Sequence, residues 1–116
     1  MRSLKNEERN LIVFMLKDIP IYKDFTYELS KSTVQEMDDG GMGSLRFLYN
    51  DGKTRKFNKE IASISILDTD GVQVNFTINV DESGDIFELD AFKGDFSPLQ
   101  QFPISPYNIL PPPQNL

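Results

Sequence analysis

The sequence predicts an α+β domain in which an N-terminal helix packs on an antiparallel meander sheet of about five strands, with a proline-rich extended C-terminal arm. Three observations predict it. Apolar residues recur at helical spacing near the start, strict two-residue alternation follows between short turns, and six of the seven prolines lie from Pro98 onward.

The helix is read from Leu4, Leu11, Ile12, Met15, Leu16 and Ile19, which recur at three- and four-residue steps. Glu7 and Glu8 fall in its first turn and Lys17 in its last, as the helix dipole favours, and Pro20 forbids extension past Ile19. Val13 and Phe14 lie off the main stripe, so apolar partners are expected on two sides of this helix. Residues Ile21 to Leu29 follow no single period and read as an aromatic-rich connection.

Strands are expected near Thr33–Met37, Leu45–Tyr49, Ala62–Leu67, Val72–Val80 and Phe87–Phe92. The clearest is the fourth, where Val72, Val74, Phe76, Ile78 and Val80 alternate with Gln73, Asn75, Thr77 and Asn79. Asn50-Asp51-Gly52, Asp68-Thr69-Asp70-Gly71 and Asp81-Glu82-Ser83-Gly84 supply turns between these runs, so consecutive strands should form hairpins in a meander. In the last strand Phe87, Leu89 and Ala91 are placed on one face, with Glu88, Asp90 and Phe92 on the other. Regular structure should stop near Lys93. The organisation expected is one domain over residues 1–96 and an arm over 97–116, which lies on the domain or on a partner because Phe96, Leu99, Phe102, Ile104, Tyr107, Ile109 and Leu110 are too apolar for a solvated tail.

Composition narrows the chemistry. With no His and no Cys, the chain supplies no Ser-His-Asp triad, no thiol nucleophile and no ordinary zinc site. No catalytic motif and no cofactor are expected. The longest apolar run, Leu11–Leu16, is far short of a membrane span, and a cytoplasmic location is expected. Residues 1–60 hold 11 basic and 10 acidic side chains, whereas residues 61–116 hold 1 basic, Lys93, and 8 acidic. A half carrying about −7 repels phosphate backbones, so nucleic acid is not an expected partner. A protein with a basic surface is.

Three segments invite closer reading. Asp38-Asp39-Gly40-Gly41-Met42-Gly43-Ser44 places three glycines in four residues. Two carboxylates stand where a phosphate would sit and no helix follows, which argues against a phosphate cradle; a strand connection or a recognition loop using Met42 stays open. The two acidic turns alternate oxygen ligands as calcium loops do, yet neither completes such a loop, and hairpin turns are the better reading. Glu88 and Asp90 should share one strand face about 7 Å apart, a spacing that superficially resembles a glycosidase pair, on a sheet that offers little room for a sugar cleft.

Five stretches carry a resemblance: Leu4…Glu7-Glu8, Asp39-Gly40-Gly41-Met42-Gly43-Ser44-Leu45, Asp68-x-Asp70-Gly71, Gly84-x-Ile86-Phe87-Glu88-Leu89-Asp90, and Lys93-x-Asp95-Phe96-Ser97-Pro98-Leu99. Together they resemble an uncharacterised family of small bacterial proteins, some members of which resemble immunity proteins of polymorphic toxins. The resemblance implies a common fold and no mechanism. The function expected is therefore a non-enzymatic protein-binding module, of which an immunity-type inhibitor of a basic toxin is one form. Asp38, Asp39, Met42, Asp81, Asp85, Glu88, Asp90 and Phe92 are its candidate contact residues, and a homodimer is left open. The alternative is a metal- or ligand-dependent enzyme using the clustered carboxylates.

Overall fold

A computed structural model describes residues 1–25, 29 and 31–111. The chain forms a helix α1 (Asn6–Leu16), a 3-10 turn (Pro20–Phe25), and strands β1 (Arg2–Ser3), β2 (Thr33–Glu36), β3 (Leu45–Leu48), β4 (Phe57–Leu67), β5 (Gln73–Asp81) and β6 (Ile86–Lys93). One helix thus packs against an antiparallel sheet of six strands, in the order β1-β2-β3-β6-β5-β4. The expected connection over 21–29 begins as the 3-10 turn; residues 26–28 lie outside the described residues, as do Pro112 and Pro113 of the proline run.

The helix buries Leu11, Ile12, Met15 and Leu16, one stripe of its surface, against the core face of the sheet. Its start is fixed by Glu8, whose carboxylate accepts the Lys5 backbone N–H at 2.8 Å and both terminal nitrogens of Arg2 at 2.7 and 2.8 Å. That contact ties the helix to the two-residue strand β1, which is too short to show in any periodicity. On the sheet, Val74, Phe76, Ile78 and Val80 are fully buried, as the alternation of β5 requires.

The sheet is not a plain meander. β4, β5 and β6 follow one another, and β2 and β3 form a hairpin, but β3 pairs with β6 and not with β4. After β3 the chain crosses the end of the sheet to reach the far edge. Arg55 pins this crossing: its guanidinium lies over the Tyr49 ring, 3.7 Å from the centroid. It also donates to Asp81 at 2.7 Å, to Asp85 at 2.6 Å and to Asp51. At the opposite end Ser44, which is buried, joins β3 to β6 through its hydroxyl, accepting the Ala91 N–H at 2.9 Å.

Bulges account for two further departures. β4 starts at Phe57 rather than Ala62, because shifts between Phe57 and Lys59 and between Glu60 and Ala62 hide the alternation. In β6, Val80 opposes Ile86 and Asn79 opposes Glu88, so Phe87 is the extra residue of a bulge. It leaves the core phase, which runs through Ile86, Leu89 and Ala91 to Lys93, and sits beneath the Arg46 guanidinium at 4.9 Å.

Beyond β6, residues 97–111 run along the helix side of the sheet. Phe102 meets the Phe76 ring edge-on at 5.6 Å between centroids, and Tyr107 lies 4.7 Å from Phe14, the apolar contact expected on the helix's second side. Ile109 pairs antiparallel with Ile66, and the Leu110 N–H donates to the Ser65 carbonyl at 2.8 Å.

Candidate functional site

The loop of residues 38–44, the turn of residues 68–71 and the segment 93–99 come from three separate stretches of sequence, and the antiparallel order brings them to one end of the sheet. Lys93 is the hub. Its position continues the core phase of β6, and it is 0% exposed. Its ammonium has three donors and three acceptors: Asp68 at 2.8 Å, Asp70 at 2.5 Å and the Pro98 carbonyl at 3.1 Å. Burial opposes the lysine's charge, but the two carboxylates outweigh it and hold its pKa above the ordinary lysine value. Asp68 is likewise buried, yet N–H groups of Gln100, Thr69 and Gln101 and the Lys93 ammonium hold its carboxyl below the usual range. Local sequence assigns the acids of this turn no partner, and Lys93 lies more than twenty residues away. The signal that identifies it is a lysine two residues past Ala91 on the buried phase.

The glycine loop owes its composition to this packing. Asp39 accepts N–H bonds from Gly41 at 3.2 Å, Met42 at 3.1 Å and Ser44 at 2.9 Å, so its carboxylate organises the loop from within. Burial works against that charge, and the donors more than offset it, keeping the acid below its usual pKa. Gly41 has φ 82° and Gly43 φ 104°, backbone that side chains disfavour. A Cβ on Gly41 would stand 3.4 Å from Pro98, and one on Gly43 would stand 3.3 Å from Leu99. The Leu99 N–H meanwhile donates to the Gly41 carbonyl at 3.0 Å. The glycines therefore admit the segment after β6 to the loop backbone. Met42 is half-buried, and its sulfur accepts the Lys93 backbone N–H at 3.3 Å.

The eight candidate contact residues do not form one patch. Asp38 is exposed beside the glycine loop, and Asp39 is turned into the loop. Asp81 and Asp85 sit at the other end of the sheet with Arg55. Burial raises the Asp81 pKa and the Arg55 contact outweighs it, leaving that carboxyl low. Glu88 pairs with Arg46 across β3 and β6 at 2.6 Å, while Asp90 accepts the Ser44 hydroxyl at 3.2 Å, so the two acids serve different partners. Among the described residues no group of three or more acidic side chains is arranged to hold a metal ion.

What the structure does bring together is Asp90 and Phe92 on the outer face of β6, followed by the turn to Phe96. Sequence matching identifies residues 1–103 with the family described as Domain of unknown function (DUF6984). The chain belongs to that family. No curated protein and no solved structure matches it. The DUF6984 span includes the glycine loop, the Asp68 turn and Lys93 to Leu99, so the whole three-segment junction falls inside the family unit, whereas Tyr107 and Ile109 lie past it.

Among the described residues of this DUF6984 protein, the helix and the arm pack on the core side of the sheet, Phe102 against Phe76 and Tyr107 against Phe14, and neither covers the outer face. Its polar side chains bond mainly to each other, as Ser65 does to Asn75 at 2.5 Å and Gln73 to Asn75 at 3.1 Å. Phe92 and Phe96 interrupt that pattern at 44% and 69% exposure, their rings perpendicular with centroids 5.1 Å apart. Phe96 has φ 63°, the one positive value among described non-glycine residues. For a bulky side chain that conformation costs about 1 to 2 kcal/mol.

Proposed function

We propose that this chain is a non-enzymatic protein-binding module that receives a basic surface on its open sheet face, with Phe92 and Phe96 as apolar anchors. One observation carries the reading: an exposed aromatic pair whose outer member is held on strained backbone, although burial of the ring gives no compensation. Aromatic anchors ringed by polar residues are the usual centres of binding energy in protein interfaces. Asp90 and Asp95 flank the pair, and the net charge of −6 favours a basic partner and a fast, salt-sensitive encounter. Met42 supports the same end of the face from below rather than offering itself as a tip.

The specific form of this reading is an immunity-type inhibitor that masks a basic toxin in the bacterial cytoplasm. It draws support from the resemblance of some family members to immunity proteins and from the surplus of acidic side chains in residues 61–116. The domain in this reading extends through the segment that packs on the glycine loop, with the remaining arm as a strap.

Affinity capture from the native host at low salt, with the tagged full chain as bait, tests it. A basic protein should be retained, and Phe96→Gly should weaken its binding at least tenfold while leaving the melting temperature unchanged or raised, since glycine accepts positive φ without strain. Capture of no protein, or unchanged binding by Phe96→Gly and Phe92→Ala, would overturn the reading.

A further inference from the structure

The helix side of the molecule carries a second surface of opposite character. Arg9, Val13 and the C-cap residue Lys17 recur every four residues and so align along one flank of α1, beside the buried stripe, with Val13 packed at the margin of the core. Beside them the Phe14 and Tyr107 rings meet at a tilt of 47°, and the two elements border a shallow groove of about 470 Å³. Its floor is apolar and its two ends are cationic. Arg9 is half-buried, and among the described residues its guanidinium has no hydrogen bond or ion pair. Lys17 lies over the Phe14 ring at 3.9 Å, with only the exposed Asp18 beside it at 3.4 Å. Eight residues of helix set the two cations roughly 12 Å apart along the axis.

We infer that this groove binds an acidic peptide segment of a partner protein, in which two carboxylates about four extended residues apart flank an aromatic or aliphatic centre. The spacing follows from the strand rise: four steps of about 3.3 Å match the separation of Arg9 and Lys17. An open groove of this depth leaves one side of its occupant in water, which suits a peptide laid along a helix. Arg9 gives the stronger contact, because a guanidinium forks onto a carboxylate while its neighbours exclude water. None of these residues belongs to the Phe92–Phe96 face, so the two surfaces can be tested separately.

The probe is a fluorescein-labelled, end-capped pentapeptide Glu-Leu-Phe-Leu-Glu, titrated with the full chain and followed by anisotropy, with Lys-Leu-Phe-Leu-Lys as its charge-reversed control. Saturable binding of the acidic peptide, at least tenfold tighter than the control and weakening with salt, is expected. Arg9→Glu combined with Lys17→Glu should invert the preference, and circular dichroism checks that this variant keeps its fold. Phe96→Gly should bind the peptide as wild type does. Equal binding of the two peptides to the wild-type chain overturns the inference whether or not the variant folds. So does a concentration-dependent doubling of mass that the Arg9→Glu and Lys17→Glu variant abolishes while Phe96→Gly keeps it, which assigns the groove to a second copy.

Discussion

Each end of the sheet has an acidic hairpin turn, and each turn closes on a cation supplied from elsewhere in the chain. At one end Asp68 and Asp70 hold Lys93; at the other Asp81 and Asp85 hold Arg55. The lysine is enclosed and all three of its donors find acceptors, so its turn also fastens the segment after β6 through Gln100, Gln101 and Pro98. The arginine is partly open to water and its Nε is buried without a partner, and what it fastens is the crossing from β3 to β4. The same turn chemistry therefore serves two joints of different completeness. Oxygen ligands at alternate positions mark a cation site in both turns, and in both the cation is a side chain of the protein itself. Much of the charge asymmetry between the two halves of the sequence is consumed in this way: Asp81, Asp85 and Glu88 face Arg55 and Arg46 from the first half, and the acids left for a partner are fewer than the count suggests.

The largest way to break this comparison is Asp68→Ala. Removing it leaves a buried ammonium with one carboxylate and one carbonyl, and takes the acceptor from three backbone N–H groups, those of Thr69, Gln100 and Gln101, so a loss of about 3 kcal/mol is expected in urea unfolding. A loss no greater than that of Asp81→Ala would show that the ends are equivalent. Next comes Gly43→Ala, which combines positive φ with a Cβ 3.3 Å from Leu99 and should cost about 2 kcal/mol. Gly40→Ala isolates the backbone part, since nothing stands within 4 Å of its Cβ, and about 1 kcal/mol is expected. Asp81→Asn is no larger, at most about 1 kcal/mol, because Arg55 keeps Asp85 and Asp51 and the amide oxygen still accepts the Ser83 N–H.

Acid titration sharpens the comparison with the smallest differences. Glu8, Asp39, Asp68 and Asp81 all have folded pKa values below their unfolded ones, so their stabilisation is complete above about pH 5 and is lost as pH falls through the folded values. Lys93 has the opposite sign: raised in the fold, its contribution holds below about pH 10 and is lost as pH rises through its folded value. Asp68→Asn, which loses the charge that Lys93 and three backbone N–H groups share, should flatten the acid limb of a stability–pH curve more than Asp81→Asn does. Coincident curves would remove the distinction between the two joints.

How far the sequence foretold this depended on the range of each contact. The helix stripe, the β5 alternation and the two acidic turns are set by residues within a few positions of each other, and all were legible. The β3–β6 pairing was not, because it depends on single polar residues, Ser44 and Arg55, whose burial no local pattern announces. Arg55 looks like any member of the stretch Lys53–Lys56. Phe87 was misplaced because a bulge changes phase without changing composition. Of the candidate site, Phe92 could be recognised as an aromatic on the polar phase of β6, whereas the left-handed backbone of Phe96 has no signature in a non-glycine residue. Arg9, Val13 and Lys17 do repeat every four residues, but the repeat gains meaning only when Tyr107 closes the groove beside them.

The rung that Ile109 and Leu110 make on β4 has a consequence for solubility. β4 is an outermost strand, and an open outer strand is a template on which other chains can stack. The rung occupies its end near Ser65, the bulges at Asn58 and Ile61 disturb the rest, and Pro111, which has no N–H to offer, follows at once. A seventh strand is begun at this rung, and Pro111 has no N–H with which to add to it. Replacing Pro111 with Val and deleting Ile61 should increase the formation of sheet-rich aggregates, read as light scattering together with thioflavin fluorescence.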